Sequence, residues 1–376
     1  MANKAAGAFE KLPILDVALL RGSAKDKAQF LHELRETCLN VGFFYVKNHG
    51  IPEEVVESIF GAGKRFFELP ADVKQKSSVA AAPHFVGWIP AESEITHGRA
   101  DVRESFDYQW KGNTAPPIGA PIWKNTLGPT PFPSEADCPG FDKASTDWML
   151  AAADLGYTLL HAIAESLGLE SNALDQYVND PEGRRAWLTK INRYPPVAPD
   201  ANNTQGCGHH TDDGFLTILA IDDIPGLQVQ NMAGTWIDVH RVPGTFVVNL
   251  GDYLEKLTGG AYVSTTHRVF SNVGGAVDRY SVPFFLDPHP LVIRNVEPIP
   301  DSALLPEIVA ARNKDYKSDV MKGDQRKIGR THGESNFINR LKSYPLCGDR
   351  WYPDLNWKQL AVEWSEGFTP GETDVW

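Results

Sequence analysis

The stretch Gly206–Leu219, GCGHHTDDGFLTIL, places two histidines and two aspartates within five consecutive positions and then continues as an apolar segment. The apolar segment indicates a strand. Because residues two apart on a strand point to the same side, we expect His210 and Asp212 to share one face and His209 and Asp213 to share the other. The stretch therefore predicts either a metal site at the start of a core strand or a polar turn in front of one.

The residues from Ala186 onwards form short segments in which apolar and polar side chains alternate. Such alternation, broken by glycine, proline, aspartate and asparagine, is typical of strands. The segments are AWLTKINRYPP, FLTILAI, GLQVQ, TWIDV, GTFVVNLGD, AYVSTTHRVF and RYSVPFFLD. Because no helical pattern separates them, they predict an antiparallel sandwich or barrel.

The first part of the chain predicts a helix–strand–helix unit. Apolar side chains recur at helical spacing in residues 25–40 and again in residues 52–70. The segment GFFYVKNHG at residues 42–50 has the composition of a short strand that ends in a turn. Residues 77–141 are less regular, and the seven prolines between residues 113 and 141 indicate a long ordered loop.

The longest predicted helix covers residues 142–168, with Gly168 as its C-terminal cap. Residues 306–330 predict mixed helix, and the last thirty or so residues predict an irregular tail rich in aromatic side chains. The pattern as a whole predicts an α+β, mainly β protein in which a long helix flanks the β core. We expect one compact unit made of three regions, at residues 11–141, 142–300 and 301–376.

The composition limits the partners and the compartment. Among 376 residues, 48 are acidic and 36 are basic, which gives a net charge of −12 and argues against a nucleic-acid or acidic-membrane partner. Four cysteines without a C-x-x-C pair indicate a reducing compartment. Since no signal peptide or apolar run of about 18 residues is recognisable, we expect a cytoplasmic monomer or homodimer that acts on a small molecule.

A third metal ligand must come from another segment, because the H-x-D spacing alone is weak. The chain contains two H-x-[DE] matches, His210-Thr-Asp212 and His332-Gly-Glu334, and about one is expected by chance from its composition. Only the first precedes an apolar strand, so we do not expect His332 to bind a metal. His267 in AYVSTTHRVF is the best third ligand, although His210 and His267 could also be ordinary sheet histidines. Two imidazoles and one carboxylate on one side of a metal are typical of non-haem Fe(II) that binds a co-substrate and O2.

A possible anion site follows in DRYSVPFFLD, where Arg279 and Ser281 are again two residues apart on a predicted strand. An arginine that points into a β core is costly unless it meets an anion. A guanidinium beside a hydroxyl is well suited to bind a carboxylate. The alternative is a structural salt bridge to an internal aspartate or glutamate.

These motifs together resemble the isopenicillin N synthase-like branch of the Fe(II)/2-oxoglutarate-dependent oxygenases. The resemblance covers roughly residues 11–290 and includes, in the family's order, NRYPP, HTDDGFLTIL, GTFVVNLGDYLEKLTGG, STTHRV and RYSVPFF. It implies a double-stranded β-helix (jelly roll) core with N-terminal helical elements. It also implies Fe(II) ligands at His210, Asp212 and His267, and 2-oxoglutarate contacts at Arg279, Ser281, Asn192 and Tyr194.

The implied reaction couples the oxidative decarboxylation of 2-oxoglutarate, with O2, to the oxidation of a small organic molecule. The sequence does not specify the substrate or whether the outcome is hydroxylation, desaturation or a related oxidation. Aromatic side chains near the motifs are candidates for the substrate pocket, with a plain core role as the alternative. These candidates are Phe215, Phe285, Phe106 and Trp88, together with Tyr108.

Three other functions remain open at this level. A related oxidase could use O2 without 2-oxoglutarate and turn Arg279 and Ser281 toward the carboxylate of its substrate. A zinc hydrolase could add His209 to the ligands, but neighbouring residues on a strand diverge and no general base is evident. A non-catalytic jelly-roll binding protein would have no need of two separated histidines and an aspartate.

Overall fold

The computed structural model describes residues 9–96, 99–292, 296–312 and 331–358. Its helices are α1 Ala24–Asn40, α2 Glu53–Phe67, α3 Ala71–Lys74, α4 Phe141–Leu167, α5 Asp175–Val178, α6 Asp252–Leu257, α7 Pro306–Ala311, α8 His332–Ser343 and α9 Pro345–Trp351. Its strands are β1 Ile14–Asp16, β2 Phe43–Lys47, β3 Gly87–Ile89, β4 Ile95–Thr96, β5 Arg99–Ala100, β6 Glu104–Gln109, β7 Trp187–Tyr194, β8 Gln205–His210, β9 Leu216–Ile221, β10 Leu227–Gln230, β11 Trp236–Val239, β12 Thr245–Leu250, β13 His267–Phe270 and β14 Arg279–Leu286.

The β core consists of two facing sheets. The larger sheet has the order β1-β2-β12-β9-β14-β7-β6-β3, and the smaller has the order β11-β10-β13-β8. From β7 to β14 the chain passes repeatedly between the two sheets, so that β7, β9, β12 and β14 lie in one, and β8, β10, β11 and β13 in the other. This confirms the predicted double-stranded β-helix.

The alternation of side chains on β14 separates the helical core from the interior of the β-helix. Val282, Phe284 and Leu286 belong to the main hydrophobic cluster, whereas Arg279 and Ser281 line a cavity between the sheets. The same period of two holds on β7 and β9, which pair with β14 on either side. The outer face of the large sheet is therefore its apolar face, and the inner face carries polar groups.

The helices α1, α2 and α4 cover that apolar face. Leu34 of α1, Phe66 of α2 and Trp148 of α4 are fully buried in one cluster with the outward side chains of the sheet. As predicted, α4 ends at Gly168, whose φ of 91° is a left-handed conformation that glycine adopts without strain. Among the described residues, no helix combines the length and the apolar character needed to cross a membrane.

The structure contains regular elements that the sequence did not indicate. Strand β6 lies inside the segment that was expected to be less regular, and it pairs along its whole length with β7. Helix α9 extends into the tail that was expected to be irregular, and aromatic side chains there form a second cluster in which Phe85 stacks on Tyr352. The predicted helix over residues 313–330 and the tail after residue 358 lie outside the described residues.

A close contact between α2 and β7 gives a test of the packing. A Cβ at Gly63 would lie 2.6 Å from Cγ2 of Ile191, whereas a Cβ at Gly61 would meet only the Nη1 of Arg65, at 3.4 Å. We expect Gly63→Ala to destabilise the protein by roughly 1–3 kcal/mol through overpacking. Gly61→Ala, in the same helix, should instead be neutral or stabilising by up to about 1 kcal/mol. Chemical denaturation checks both, and equal effects of the two variants would contradict this packing.

Candidate metal and co-substrate centre

Three potential metal ligands converge between the two sheets. His210 is the last residue of β8 and His267 the first of β13, and the two are directly opposite each other in the sheet register. Their ring centroids lie 4.2 Å apart. Asp212 comes from the turn between β8 and β9, so the expectation that His210 and Asp212 share a face of one strand was wrong. The turn, not strand alternation, brings Asp212 back to the histidines.

The ligand atoms of the three side chains lie within 4.8 Å of one another. Oδ1 of Asp212 is 3.6 Å from Nε2 of His210 and 3.7 Å from Nε2 of His267. Two imidazole nitrogens and one carboxylate oxygen on one side of a common point form the facial arrangement that suits non-haem Fe(II) and leaves the other side accessible.

Hydrogen bonds to the backbone orient both imidazoles. Nδ1 of His210 lies 2.8 Å from the carbonyl oxygen of Gly208, and Nδ1 of His267 lies 3.2 Å from that of Thr265. A carbonyl can only accept, so each Nδ1 carries the proton and each Nε2 keeps its lone pair for a metal. Burial, followed by the neighbouring His210, lowers the pKa of His267 to about 4, which keeps this ring neutral.

The carboxylate of Asp212 is fixed from its far side. Its Oδ2 accepts hydrogen bonds from Nδ2 of Asn249, at 2.7 Å, and from the Thr217 hydroxyl. Burial alone would raise the pKa of Asp212, but the two histidines and these two donors together hold it below its ordinary value. Asp212 is therefore a charged ligand whose Oδ1 faces the histidines.

A buried cation that forms no ion pair with a carboxylate of the described chain lies in the same cavity. Arg279 is 1% exposed, its guanidinium lies 4.9 Å from the ring centre of Tyr194, and its Nε and Nη1 have no hydrogen-bond partner in the described ranges. No carboxylate of the described chain pairs with it, so the internal salt bridge considered as the alternative is absent there. Because a buried charge is costly unless it is paired, this site fits the carboxylate of a bound co-substrate.

Ser281 and Asn192 extend this anion site toward the three potential metal ligands. They face each other across β14 and β7, with Nδ2 of Asn192 3.4 Å from Oγ of Ser281. Oδ1 of Asn192 makes no hydrogen bond within the part of the chain that the structure describes. Both residues line the cavity that also contains His210, Asp212 and His267. We call this space the metal cavity.

Two family models match the chain. Residues 12–135 match the model described as non-haem dioxygenase in morphine synthesis N-terminal, and residues 187–288 match the 2OG-Fe(II) oxygenase superfamily. The chain is 35% identical to the 2-oxoglutarate-dependent dioxygenase frbJ of Dothideomycetidae sp. (strain 11243), over 92% of this chain and 94% of that protein. The chain belongs to the 2-oxoglutarate/Fe(II)-dependent dioxygenases.

Further relatives agree with this dioxygenase assignment. The chain is 34% identical to homoarginine-6-hydroxylase 2-ODD-C23 of Glycine max, over 74% of this chain and 86% of that protein. Among solved structures, a full-length Neurospora crassa protein in complex with alpha-KG and 5-formyluracil is similar, with a TM-score of 0.67, 25% identity, and coverage of 84% of this chain and 94% of that one. The predicted family, fold class and enzyme class are therefore confirmed.

The structure of this dioxygenase brings only one of the aromatic pocket candidates into the metal cavity. Phe285 lines it, on the same face of β14 as Arg279 and Ser281. Phe215, Phe106 and Trp88 are not among its lining residues. Phe215 and Phe106 belong instead to the hydrophobic cluster beneath the helices. Phe106 has the outward phase of β6, whereas Phe215 lies in the turn before β9. Trp88 donates a hydrogen bond to Glu104 at 2.7 Å. Tyr108 is buried there as well.

The sequence reasoning missed several polar residues of this dioxygenase's interior. Lys190 and Arg103 line the metal cavity as buried cations, and Asn249 holds Asp212. Lys190 lies two residues before Asn192 on β7, so the same alternation that identified Arg279 and Ser281 could have found it. Asn249 gave no comparable signal, because its role depends on β12 pairing with β9.

Substitution of the neighbouring histidines of this dioxygenase tests which one binds the metal. We expect His210→Ala to lose most Fe(II) binding, because it removes one of three convergent ligands. His209→Ala should retain Fe(II) binding, since residue 209 is not part of the convergent triad. Anaerobic titration with Fe(II), followed by metal analysis, provides the measurement. An equal loss in both variants would show that the wrong histidine has been assigned.

Proposed function

We propose that His210, Asp212 and His267 hold Fe(II), and that Arg279 and Ser281 bind the distal carboxylate of 2-oxoglutarate. The observation that carries this proposal is the buried guanidinium of Arg279, which lies in the metal cavity and whose Nε and Nη1 have no hydrogen-bond partner in the described chain. When bound, Fe(II) and 2-oxoglutarate supply the oxidative decarboxylation that activates O2 for the oxidation of a small organic molecule. Asn192 and Tyr194 complete the co-substrate site.

The role of the protein is to orient these groups and to keep water away. The backbone carbonyls of Gly208 and Thr265 hold the imidazoles in the tautomer that presents Nε2. The Asp212 carboxylate offsets one of the two positive charges of Fe(II). Apolar side chains separate the anion site from solvent, which strengthens its electrostatic interactions; they include Leu219, Leu227, Val269 and Pro283.

The proposal also covers the compartment, the oligomeric state and the partners of the protein. We infer that it acts in the cytoplasm as a monomer or homodimer, without a nucleic-acid or membrane partner. The four cysteines are free and buried, as is usual in a reducing compartment. The net charge of −12 is unfavourable for binding to a polyanion.

Removal of the Arg279 guanidinium tests the co-substrate site. We expect Arg279→Ala to weaken 2-oxoglutarate binding at least about tenfold, because a carboxylate loses a charged, buried partner. Arg279→Lys should recover part of the affinity, since it restores the charge without the planar fork. Arg65→Ala, which removes a solvent-exposed arginine of α2, is the matched control.

The measurement is a calorimetric titration of Fe(II)-loaded protein with 2-oxoglutarate in the absence of O2. An Arg279→Ala variant that binds 2-oxoglutarate as tightly as the Arg65→Ala control would contradict the assignment. In that case, succinate formation measured against oxidised product would show whether 2-oxoglutarate is a co-substrate at all.

A further inference from the structure

A second cavity, of about 210 Å³, lies between the metal centre and helix α8. We call it the α8 cavity. It shares Lys190, Asp212 and Phe285 with the metal cavity, so the two spaces meet at a metal ligand. A molecule bound in the α8 cavity would therefore lie beside the centre, on a side distinct from the Arg279 anion site.

The two cations that line the α8 cavity are already neutralised by acids of the protein. Nζ of Lys190 lies 2.9 Å from Glu94 and 3.3 Å from Asp107. Nη1 of Arg340 lies 3.9 Å from the same Asp107 carboxylate, and its Nε donates to Oδ1 of Asn336 at 3.1 Å. Both cations are thus already engaged by acids of the protein, Lys190 more closely than Arg340.

Asp287, on the opposite wall, is half-buried and has no cation of the described chain within ion-pair distance. It follows the end of β14, and its Oδ1 lies so close to Gly214 that a Cβ there would be only 2.2 Å away. In the described segments, its carboxylate takes part in no hydrogen bond or ion pair, although it lines a cavity with Asp213 and Asp212. Burial, and then the charge of Asp213, raise the pKa of Asp287 to about 7, and the charge of Arg340 only partly opposes this rise.

The remaining polar groups of the α8 cavity are neutral. The amide of Asn339 and the hydroxyl of Ser343 line it from α8, and neither makes a side-chain hydrogen bond with another described residue. Beside the engaged Arg340, the cavity therefore offers neutral donors and acceptors on the α8 wall, and on the other wall a carboxylate that makes no hydrogen bond or ion pair in the described chain.

We infer that the α8 cavity receives the molecule that is oxidised, and that Asp287 binds a protonated amine or guanidinium group of that molecule. The inference rests on the proposed function, because it places the substrate beside the proposed iron site. A cation that donates hydrogen bonds to Asp287 offsets the cost of this half-buried carboxylate. Asn339 and Ser343 then bind the other polar groups of a small, positively charged organic substrate.

The test compares probes that differ in one charge. L-Arginine is paired with neutral L-citrulline, and L-lysine with neutral L-norleucine. Each is titrated calorimetrically into protein loaded with Fe(II) and 2-oxoglutarate, without O2. We expect at least one cationic probe to bind about tenfold or more tightly than its neutral counterpart. Wild-type protein that binds neither cationic probe more tightly than its counterpart overturns the inference.

Substitution of Asp287 then tests whether its carboxylate causes the preference for the cationic probe. Asp287→Asn should abolish the preference for the cationic probe, whereas Asp154→Asn, the same chemical change at an exposed position of α4, should retain it. A preference that survives in Asp287→Asn overturns the assignment. The assignment is also overturned if Asp287→Asn loses as much affinity for Fe(II) as for the probe, because the carboxylate would then contribute to metal binding.

Two further measurements distinguish a failure of the inference on Asp287 from a structural role of this residue and from a failure of the proposed function. Since an unpaired carboxylate costs stability, Asp287→Asn should melt at or above the wild-type temperature without added ligands, and a clearly lower melting temperature would assign Asp287 a structural role. The 2-oxoglutarate titration is performed before any probe is added. Wild-type protein that binds 2-oxoglutarate but shows no charge preference overturns only the inference on Asp287, whereas failure to bind 2-oxoglutarate overturns the proposed function and this inference with it.

Discussion

The structure depends on which face of the large sheet is apolar: the outer face packs against helices, and the inner face, between the two sheets, carries the polar groups. Strands β7, β9 and β14 direct their apolar side chains outward, where helices α1, α2 and α4 bury them. Their inward positions are thereby released from the task of stabilising the fold and can carry charge and hydrogen-bonding groups. The strict period of two makes this separation robust, because a shift of one residue would place Arg279 against the helices and Val282 in the cavity.

The charged side chains in the resulting interior differ in how far other groups of the protein neutralise them. Glu94, Asp107, Lys190 and Arg103 form ion pairs among themselves. Asp212 is held by neutral donors from behind and by histidines in front, an arrangement that a divalent cation completes. Arg279 forms no ion pair in the described chain, and its Nε and Nη1 have no hydrogen-bond partner there. Groups of this last kind lower the stability of the free protein, and their retention is understandable when a ligand supplies the missing charge.

The sequence predicted the chemistry of the centre better than its geometry. His210, Asp212 and His267 were chosen on strand alternation and spacing, yet Asp212 reaches the histidines through the turn before β9. Of the aromatic candidates, the sequence could place only Phe285, because the Arg279–Ser281–Phe285 series defines the inward phase of β14 and Phe284 and Leu286 define the outward one. The phase of Phe106 and Trp88 could not be assigned, because it follows from the pairing of β6 with β7, and β6 had not been recognised as a strand.

The α8 cavity was beyond prediction because its two walls are distant in the chain. One wall ends strand β14, and the other begins after residue 331. Tyr344, directly after α8, donates a hydrogen bond of 2.8 Å to Asp107 on β6, and Asp107 also contacts Lys190. The helix is thus anchored to the same buried network that borders the metal cavity, which fixes its polar wall relative to the centre.

The proposed iron and 2-oxoglutarate contacts all come from strands and their turns, whereas α8 supplies a separate wall. Side chains on α8 can therefore vary without disturbing the ligands of the metal. This physical division lets one oxidative centre serve substrates of different shape and charge.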